Sequence, residues 1–552
     1  MAPSDYLVTD DLTIILGLVA AGLFLLHSLY KPQSLVHPIL LGRQSDVARV
    51  RNPAESAVYR NYGTGMLGRF PLRPTKDQQL LLDLAKPDSD APRTLWSTKI
   101  TNPELRERVS AFGSGIIRLA GLAPQESNVL LLLNDGIEFL ISDLALASYS
   151  IPTFTLTSLS LLSPVLDSHP PSVIITHANF LSSLLEVIYD ANESAHHIVI
   201  VVGKLTNANV HKMDKLRVLQ WEDVEREGAS TEQMTLPQPD PQEVFTVSFF
   251  STPSGELQGT QLTHENLTAG VAATRALLPL STAMSSLDTI ISAFSLSTPY
   301  GRAVAYTAIY EGTSFATLES SKIIGDERSA PSTGLKDINS VSSLPIPSPT
   351  ILTKNASYVM YMIAWRHKLA ALLDGFLTKQ SLWDRVIFDG ARVKVMGKGA
   401  GTVRAIIVSA ESLEAQALTP SRIALSVPIV NAHIHPLIAG PVFASHPLDL
   451  QTFSPNITAS SASAADAYAF TYLAPVGPPS VNIEAKLVGV DDEAVESGAD
   501  PIGALHVRGP SVGKTLEEVG TRSEEERVWL DTSERAKVAT NGTFKVVSAF
   551  KI

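Results

Sequence analysis

Phe245–His264 reads FTVSFFSTPSGELQGTQLTH: a strand, a Ser/Thr/Gly loop, then LTHENL opening a helix. Backbone N–H groups in such a loop, with the N-terminus of the helix behind it, suit a phosphate anion. An ordinary turn is the competing reading of the same composition. A second set is His433 and His435, which share one face of an extended segment and could reach a metal ion. No third ligand of suitable type lies near them in the sequence, so packed or exposed histidines are the better reading. The chain has no cysteine. A disulfide framework, a thiolate zinc site, an iron–sulfur cluster and a cysteine nucleophile are therefore excluded. No G-x-S-x-G elbow is present, which leaves scattered Ser, His and Asp as surface and loop residues rather than a hydrolase triad.

The elements that must hold this loop follow a βαβ rhythm. Pro103–Leu122 carries Leu105, Val109, Phe112, Ile116 and Leu119 at helical spacing, with Asn102 as its expected N-cap and Pro103 at the first helical position. The apolar run VLLLL within 127–133 suits a strand buried on both faces. A helix over 137–148 and strands over 152–156, 173–176 and 197–202 continue the series, so a largely parallel sheet covered by helices is expected. The stretches 328–350, 457–465 and 491–500 read as surface loops. After about residue 480 strand patterns take over at 483–490, 503–509 and 537–547. In the last of these Asn541-Gly542 suits a type I′ hairpin turn.

Length and charge bound the rest. The 552 residues exceed one ordinary core, and 43 basic against 55 acidic residues give a net charge of −12. No nucleic-acid partner is expected from so acidic a chain. Leu12 to Leu26 is apolar except for Thr13, with Lys31, Arg43, Arg49 and Arg51 all on its C-terminal side. A single-pass transmembrane anchor with the body in the cytosol is the expectation, the membrane counting as a partner. The endoplasmic reticulum membrane is the default location, with the lipid droplet or peroxisome membrane as alternatives.

In order, the segments GSGIIRLAG (113–121), NDGIEFLISDLALASYSIPTFTL (134–156), SVIIT (172–176), LTHENL (262–267), VRAIIVSAESL (403–413), GALHVRGPSV (503–512) and NGTFKVV (541–547) resemble the AMP-forming adenylating superfamily, most closely its long-chain fatty acyl-CoA synthetases. The resemblance implies an α/β fold: two βα-layered subdomains plus a small distorted β-barrel, preceded here by one transmembrane helix. The expected division is 1–31 luminal tail and anchor, 32–95 extended lead-in, 96–440 AMP-binding-like subdomains, and 441–552 a β-rich subdomain, with the family's C-terminal lid absent. The family joins a fatty carboxylate to ATP as an acyl-adenylate and then to coenzyme A, using Mg2+.

Matched residue by residue, the family loop T-S-G-[ST]-T-G-x-P-K-G becomes Phe250 to Gly259. Ser251, Thr252, Ser254, Gly255 and Gly259 are the implied nucleotide-binding remnants, and the loop lysine has become Gln258. Pro436 stands where the family glutamate serves Mg2+. Glu534 stands where an aspartate holds the ribose hydroxyls, and Ser548 opens the segment matching the hinge. No catalytic residue and no protein metal ligand is assigned. These substitutions point to a catalytically weak or inactive membrane-anchored pseudoenzyme that keeps an acyl- and nucleotide-binding scaffold, with fatty acid, acyl-CoA or other acyl-CoA synthetase chains as partners. The alternative is an active ATP-dependent long-chain fatty acid–CoA ligase, its lid lost from the gene model or supplied by another chain. ATP, Mg2+ and coenzyme A are its cofactors if that activity survives.

Overall fold

The structure is a computed structural model that describes residues 11–29, 38–65, 69–190, 198–204, 217–231, 238–324, 344–355, 399–409, 427–447, 473–516 and 529–547, with isolated positions between 390 and 449. Three sheets form its frame. The first has eight strands in the spatial order Lys514–Thr515, Leu257–Thr263, Val244–Ser251, Thr153–Leu156, Val129–Leu132, Val173–His177, Ile198–Val202, Arg217–Gln220. From Val244–Ser251 onward its pairs are parallel. The sequences VLLL and VIITH are apolar on both faces because helices cover both sides of a parallel sheet. The second sheet runs Pro441–Ala444, Ile429–Ile434, Ala405–Ser409, Ile351–Asn355, Thr289–Ser292, Ser314–Thr317, Arg93–Leu95, Thr98–Ile100, parallel except at its two ends.

The third sheet is antiparallel throughout, in the order Ser45–Val47, Tyr59–Asn61, Glu484–Val488, Ile502–Arg508, Leu530–Val538, Phe544–Val547. It is a curled half-barrel, where a small distorted barrel was expected; Phe544 on its last strand bonds Val476 and Gly477, and Gln44 and Ser45 at its first strand bond the Asn541-Gly542 turn. Its first two strands come from residues 45–61, more than 400 positions before their neighbour: Tyr59 pairs with Ala485. Alternation along Leu530–Val538 turns Leu530, Thr532, Glu534, Ala536 and Val538 inward.

Local chemistry explains where elements begin. The helix expected from Pro103 starts at Asn102 and is capped by Thr101, not Asn102. Thr101 Oγ1 accepts the Glu104 N–H while the Glu104 carboxylate accepts the Thr101 N–H, a capping box. Gly121 ends the helix at φ 67°, a left-handed C-cap. This helix presses against Trp221–Ser230 so closely that a Cβ on Gly115 would lie 1.9 Å from the Val224 carbonyl oxygen. The Asn541-Gly542 hairpin is not type I′: only Gly542 has positive φ (78°), and the turn is a wider one closed by Ala539 and Thr543. The acidic stretch 491–500 contains a short helix, Asp492–Glu496, capped by Asp491. Residues 457–465 and most of 328–350 lie outside the described residues.

The anchor expectation is overturned. Asp11–Leu29 is helical, yet among the described residues no helix is long and apolar enough to cross a membrane. Its 19 residues include Asp11, Thr13, His27 and Ser28. The uninterrupted apolar part, 14–26, reaches only roughly 20 Å at 1.5 Å per residue against a hydrocarbon core of about 30 Å. The transmembrane element, the membrane as partner, and the endoplasmic reticulum, lipid-droplet and peroxisome-membrane locations that rested on it all fall with it.

Candidate functional site

The Ser/Thr/Gly loop joins two antiparallel strands, Val244–Ser251 and Leu257–Thr263, at the edge of the first sheet. Pro253 follows Thr252, the Gly255 N–H donates to the Thr252 carbonyl, and Gly255 itself sits at φ 86°. Pro at the second turn position followed by a left-handed glycine is a turn geometry that this sequence favours. The loop therefore spends its own donors. Thr252 N–H donates to the Glu256 carbonyl, and Glu256 N–H to Thr252 Oγ1. Pro253 has no N–H. The hydroxyls are bonded within the loop: Thr252 Oγ1 lies 2.8 Å from Ser254 Oγ, Ser254 Oγ donates to Glu256 Oε2 at 3.2 Å, and Ser251 Oγ donates to the Thr252 carbonyl. Ser254, Gly255 and Glu256 are exposed, Gln258 is half-buried, and Gly259 is packed under Leu516 and Val247.

Two contacts bring the other expected positions to this strand pair. Thr260 Oγ1 donates to the Pro436 carbonyl at 2.9 Å, tying the loop's second strand to the His433–Pro436 segment. His433 Nε2 lies 2.7 Å from Glu534 Oε2, tying that segment to the third sheet. Phe250, at the loop's first strand, shares one apolar cluster with Leu437, Ile438, Phe443 and Phe544. Ser251 to Gly259, Pro436 and Glu534 are thus gathered where the three sheets meet, and Ser548 lies outside the described residues. Pro436 brings no side-chain donor and its carbonyl is engaged, so no protein ligand for Mg2+ stands at that position.

Both histidines are packed. His435 accepts the Leu437 N–H on Nδ1 and donates from Nε2 to the Thr532 carbonyl, which fixes its neutral tautomer. Burial holds its pKa down at about 4, against opposing pulls from Glu534, the Thr532 carbonyl and Asp531, with His433 reinforcing the depression. The unfolded chain therefore binds a proton between pH 6.5 and 4 that the folded chain refuses. This contribution to stability is whole above pH 6.5 and is lost as pH falls towards 4. Relative to His435→Gln, the unaltered protein is expected to lose an extra 2–3 kcal/mol or so between pH 7.5 and 4 in urea titrations. Equal pH slopes for the two proteins would count against this.

A group that sequence reading missed supports the loop from below. Arg302 and Asp143 are fully buried and ion-paired at 3.1 Å. Arg302 also donates to Thr246 Oγ1 (2.8 Å) and Ser248 Oγ (3.3 Å), both on the strand entering the loop, and Tyr306 donates to Asp143 at 2.7 Å. The available signal was a single charge inside each apolar helix, ISDLALAS and YGRAVAY. Elsewhere, a cavity of about 690 Å³ lies beyond the carboxyl ends of Val129–Leu132, Val173–His177 and Ile198–Val202, lined in part by Asn134, Asp135, Glu138, His177 and Lys204. Burial raises the Asp135 carboxyl to about 6 there, despite bonds from Leu296 N–H, Ser295 and Ser321. None of the loop residues lines it.

Against known families, residues 85–328 match the AMP-binding enzyme family. Over those residues the chain is an AMP-binding domain similar to those of the AMP-forming adenylating superfamily. Within that superfamily it is related to the long-chain fatty acid–CoA ligases. It is 24% identical over 457 residues to the peroxisomal long chain acyl-CoA synthetase 6 of Arabidopsis thaliana, covering 80% of this chain and 60% of that protein. It is 22% identical over 352 residues to long-chain-fatty-acid–CoA ligase 5 of Mus musculus, covering 60% of this chain and 50% of that one. The chain thus spans little more than half the length of these relatives. Its fold matches that of an anthranilate CoA ligase bound to anthranoyl-AMP (TM-score 0.59, 17% identity, 86% of this chain and 78% of that one). It also matches the Bacillus subtilis O-succinylbenzoate coenzyme A synthetase bound to ATP and magnesium (TM-score 0.55, 13% identity, 85% and 79%). These likenesses establish the fold. The expected membrane-anchored pseudoenzyme is corrected accordingly: no described helix spans a membrane, and family match and fold favour the ligase alternative.

Proposed function

We propose that this chain is an adenylate-forming domain that uses ATP to activate a long-chain fatty carboxylate as its acyl-adenylate, for transfer to coenzyme A. The observation that carries the reading is the pair of contacts, Thr260–Pro436 and His433–Glu534, that joins the loop's second strand, the His433–Pro436 segment and Glu534.

Ser251, Thr252 and Ser254 are proposed to meet the phosphates. Their hydroxyl bonds, to one another, to the Thr252 carbonyl and to the Glu256 carboxylate, are solvent-exposed and local to the loop, so they can be exchanged for bonds to charged phosphate oxygens. Gly255 supplies the left-handed turn that presents them, and Gly259 lets the strand pass beneath Leu516. Glu534 is proposed for the ribose side of the nucleotide. Magnesium would arrive on the triphosphate, since Pro436 cannot hold it, and no step is assigned to a protein-bound metal.

The test is the adenylation half-reaction on purified protein: fatty-acid-dependent exchange of labelled pyrophosphate into ATP, with palmitate-like acids. Exchange that requires the acid, and acyl-CoA formation on adding coenzyme A, is the expected result. No exchange and no acyl-AMP at millimolar ATP would overturn the reading.

A further inference from the structure

We infer that His433 is a nucleotide-contacting residue, the acceptor for a ribose hydroxyl, with Glu534 acting behind it to orient the ring. The inference rests on the reading that Glu534 marks the ribose side of a nucleotide cleft, and changes which atom the nucleotide meets.

The geometry places the carboxylate behind the imidazole. The Glu534 side chain is fully buried, whereas that of His433 keeps 9% of its surface open. With the Glu534 carboxylate as the acceptor, the 2.7 Å bond runs from His433 Nε2–H to Glu534 Oε2. In the neutral ring that leaves the lone pair on Nδ1 as an acceptor. Nδ1 has no partner among the described residues, and it is not among the sealed, unsatisfied polar atoms. A buried acceptor with nothing to accept would be costly; an open one facing a ligand is not.

The ring is held for this task on its face as well as its edge. His433 stacks on Phe443 at 6.1 Å and 25°, and Phe443 stacks on Phe544 at 4.4 Å and 15°. Inward alternation fixes Glu534 on the strand Leu530–Val538. Side chain, ring plane and tautomer are thus set before any ligand arrives, the pattern in which an outer carboxylate aims a histidine. Beside it, His435 is committed at both nitrogens, to Leu437 N–H and the Thr532 carbonyl, and cannot take the same part.

A ribose with its hydroxyls should bind better than one without. Titration calorimetry at pH 8.5 compares ATP with 2′,3′-dideoxy-ATP on the unaltered protein and on His433→Phe/Glu534→Leu. That pair keeps a ring on Phe443 and leaves no buried carboxylate unpaired. The unaltered protein is expected to prefer ATP by up to about tenfold, the worth of one hydrogen bond, and the double variant to bind both nucleotides alike. Equal affinities in the unaltered protein, or a preference that survives in the variant, would overturn the inference while leaving the adenylation reading intact. No binding of either nucleotide at millimolar concentration would remove both. Independently of the variant's folding, saturating ATP is expected to shield His433 from carbethoxylation by diethyl pyrocarbonate, followed by peptide mass mapping. Modification at the same rate with and without bound ATP would also overturn it.

Discussion

Arg302→Ala is expected to lower the free energy of unfolding by about 3–5 kcal/mol, read from urea titration. The guanidinium is wholly buried and serves two elements at once, the Asp143 carboxylate on the helix Ile137–Ser148 and the Thr246 and Ser248 hydroxyls on the strand Val244–Ser251. Removing it strands a carboxylate in the interior with only Tyr306 and Thr153 hydroxyls for company. Burial, with Asp143 adding to it, already drives the Tyr306 phenol well above its ordinary pKa, so that hydroxyl cannot ionise to relieve anything. Replacing both charges, as Arg302→Met/Asp143→Leu, should recover most of the loss, because the unpaired charge rather than the missing attraction dominates. A single-variant loss within 1 kcal/mol would show that water reaches Asp143. Since Thr246 and Ser248 lead straight into Ser251, the single variant should also loosen the loop and lower any pyrophosphate exchange more than the double variant does.

The second large effect belongs to Phe443→Ala, at about 3–5 kcal/mol for an aromatic core truncation. Phe443 is fully buried between the Phe544 and His433 rings, in the cluster that also holds Phe250 and Leu437. Its loss opens a cavity at the meeting point of all three sheets and frees the His433 ring from its stack. Phe443→Leu keeps most of the volume and should cost clearly less. If the two variants were equally stable in thermal unfolding, the cluster would be more compliant than its packing indicates.

What could be read in the chain follows from whether a signal is local. The helix Ile137–Ser148 and the buried strands Val129–Leu132 and Val173–His177 were legible because apolar period and run length report burial directly. The cap of the preceding helix, Asn102–Ala120, was misplaced by one residue, because Thr101 and Asn102 are both good caps and only the reciprocal bond to Glu104 decides. Asn541-Gly542 promised a two-residue turn, but pairing extends only to Val538 and Phe544, so the turn had to be wider. The loop's composition marked it as a turn with hydroxyls, yet nothing in it revealed that the Thr252, Gly255 and Glu256 N–H groups were already engaged. His433 and Glu534 are 101 residues apart, and no periodicity joins them. The apolar stretch near the N-terminus misled for a different reason: Leu12–Leu26 resembles a span by composition, while length is what a bilayer measures.

The pairing of Tyr59 with Ala485 has a consequence for how the chain is made. At roughly 5–20 residues per second, the early strands emerge from the ribosome about 20–85 s before the strand they border exists. During that interval Ser45–Val47 and Tyr59–Asn61 have only each other, an edge with no sheet behind it. The two parallel sheets can consolidate as they emerge, but the third must wait and then recapture a segment from the far end of the molecule, a slow long-range closure. Nascent-chain folding of this protein should therefore be gated by the emergence of residues 484–547. Its most vulnerable period, and its greatest call on chaperones, falls while most of the two parallel sheets is already built and the third is not.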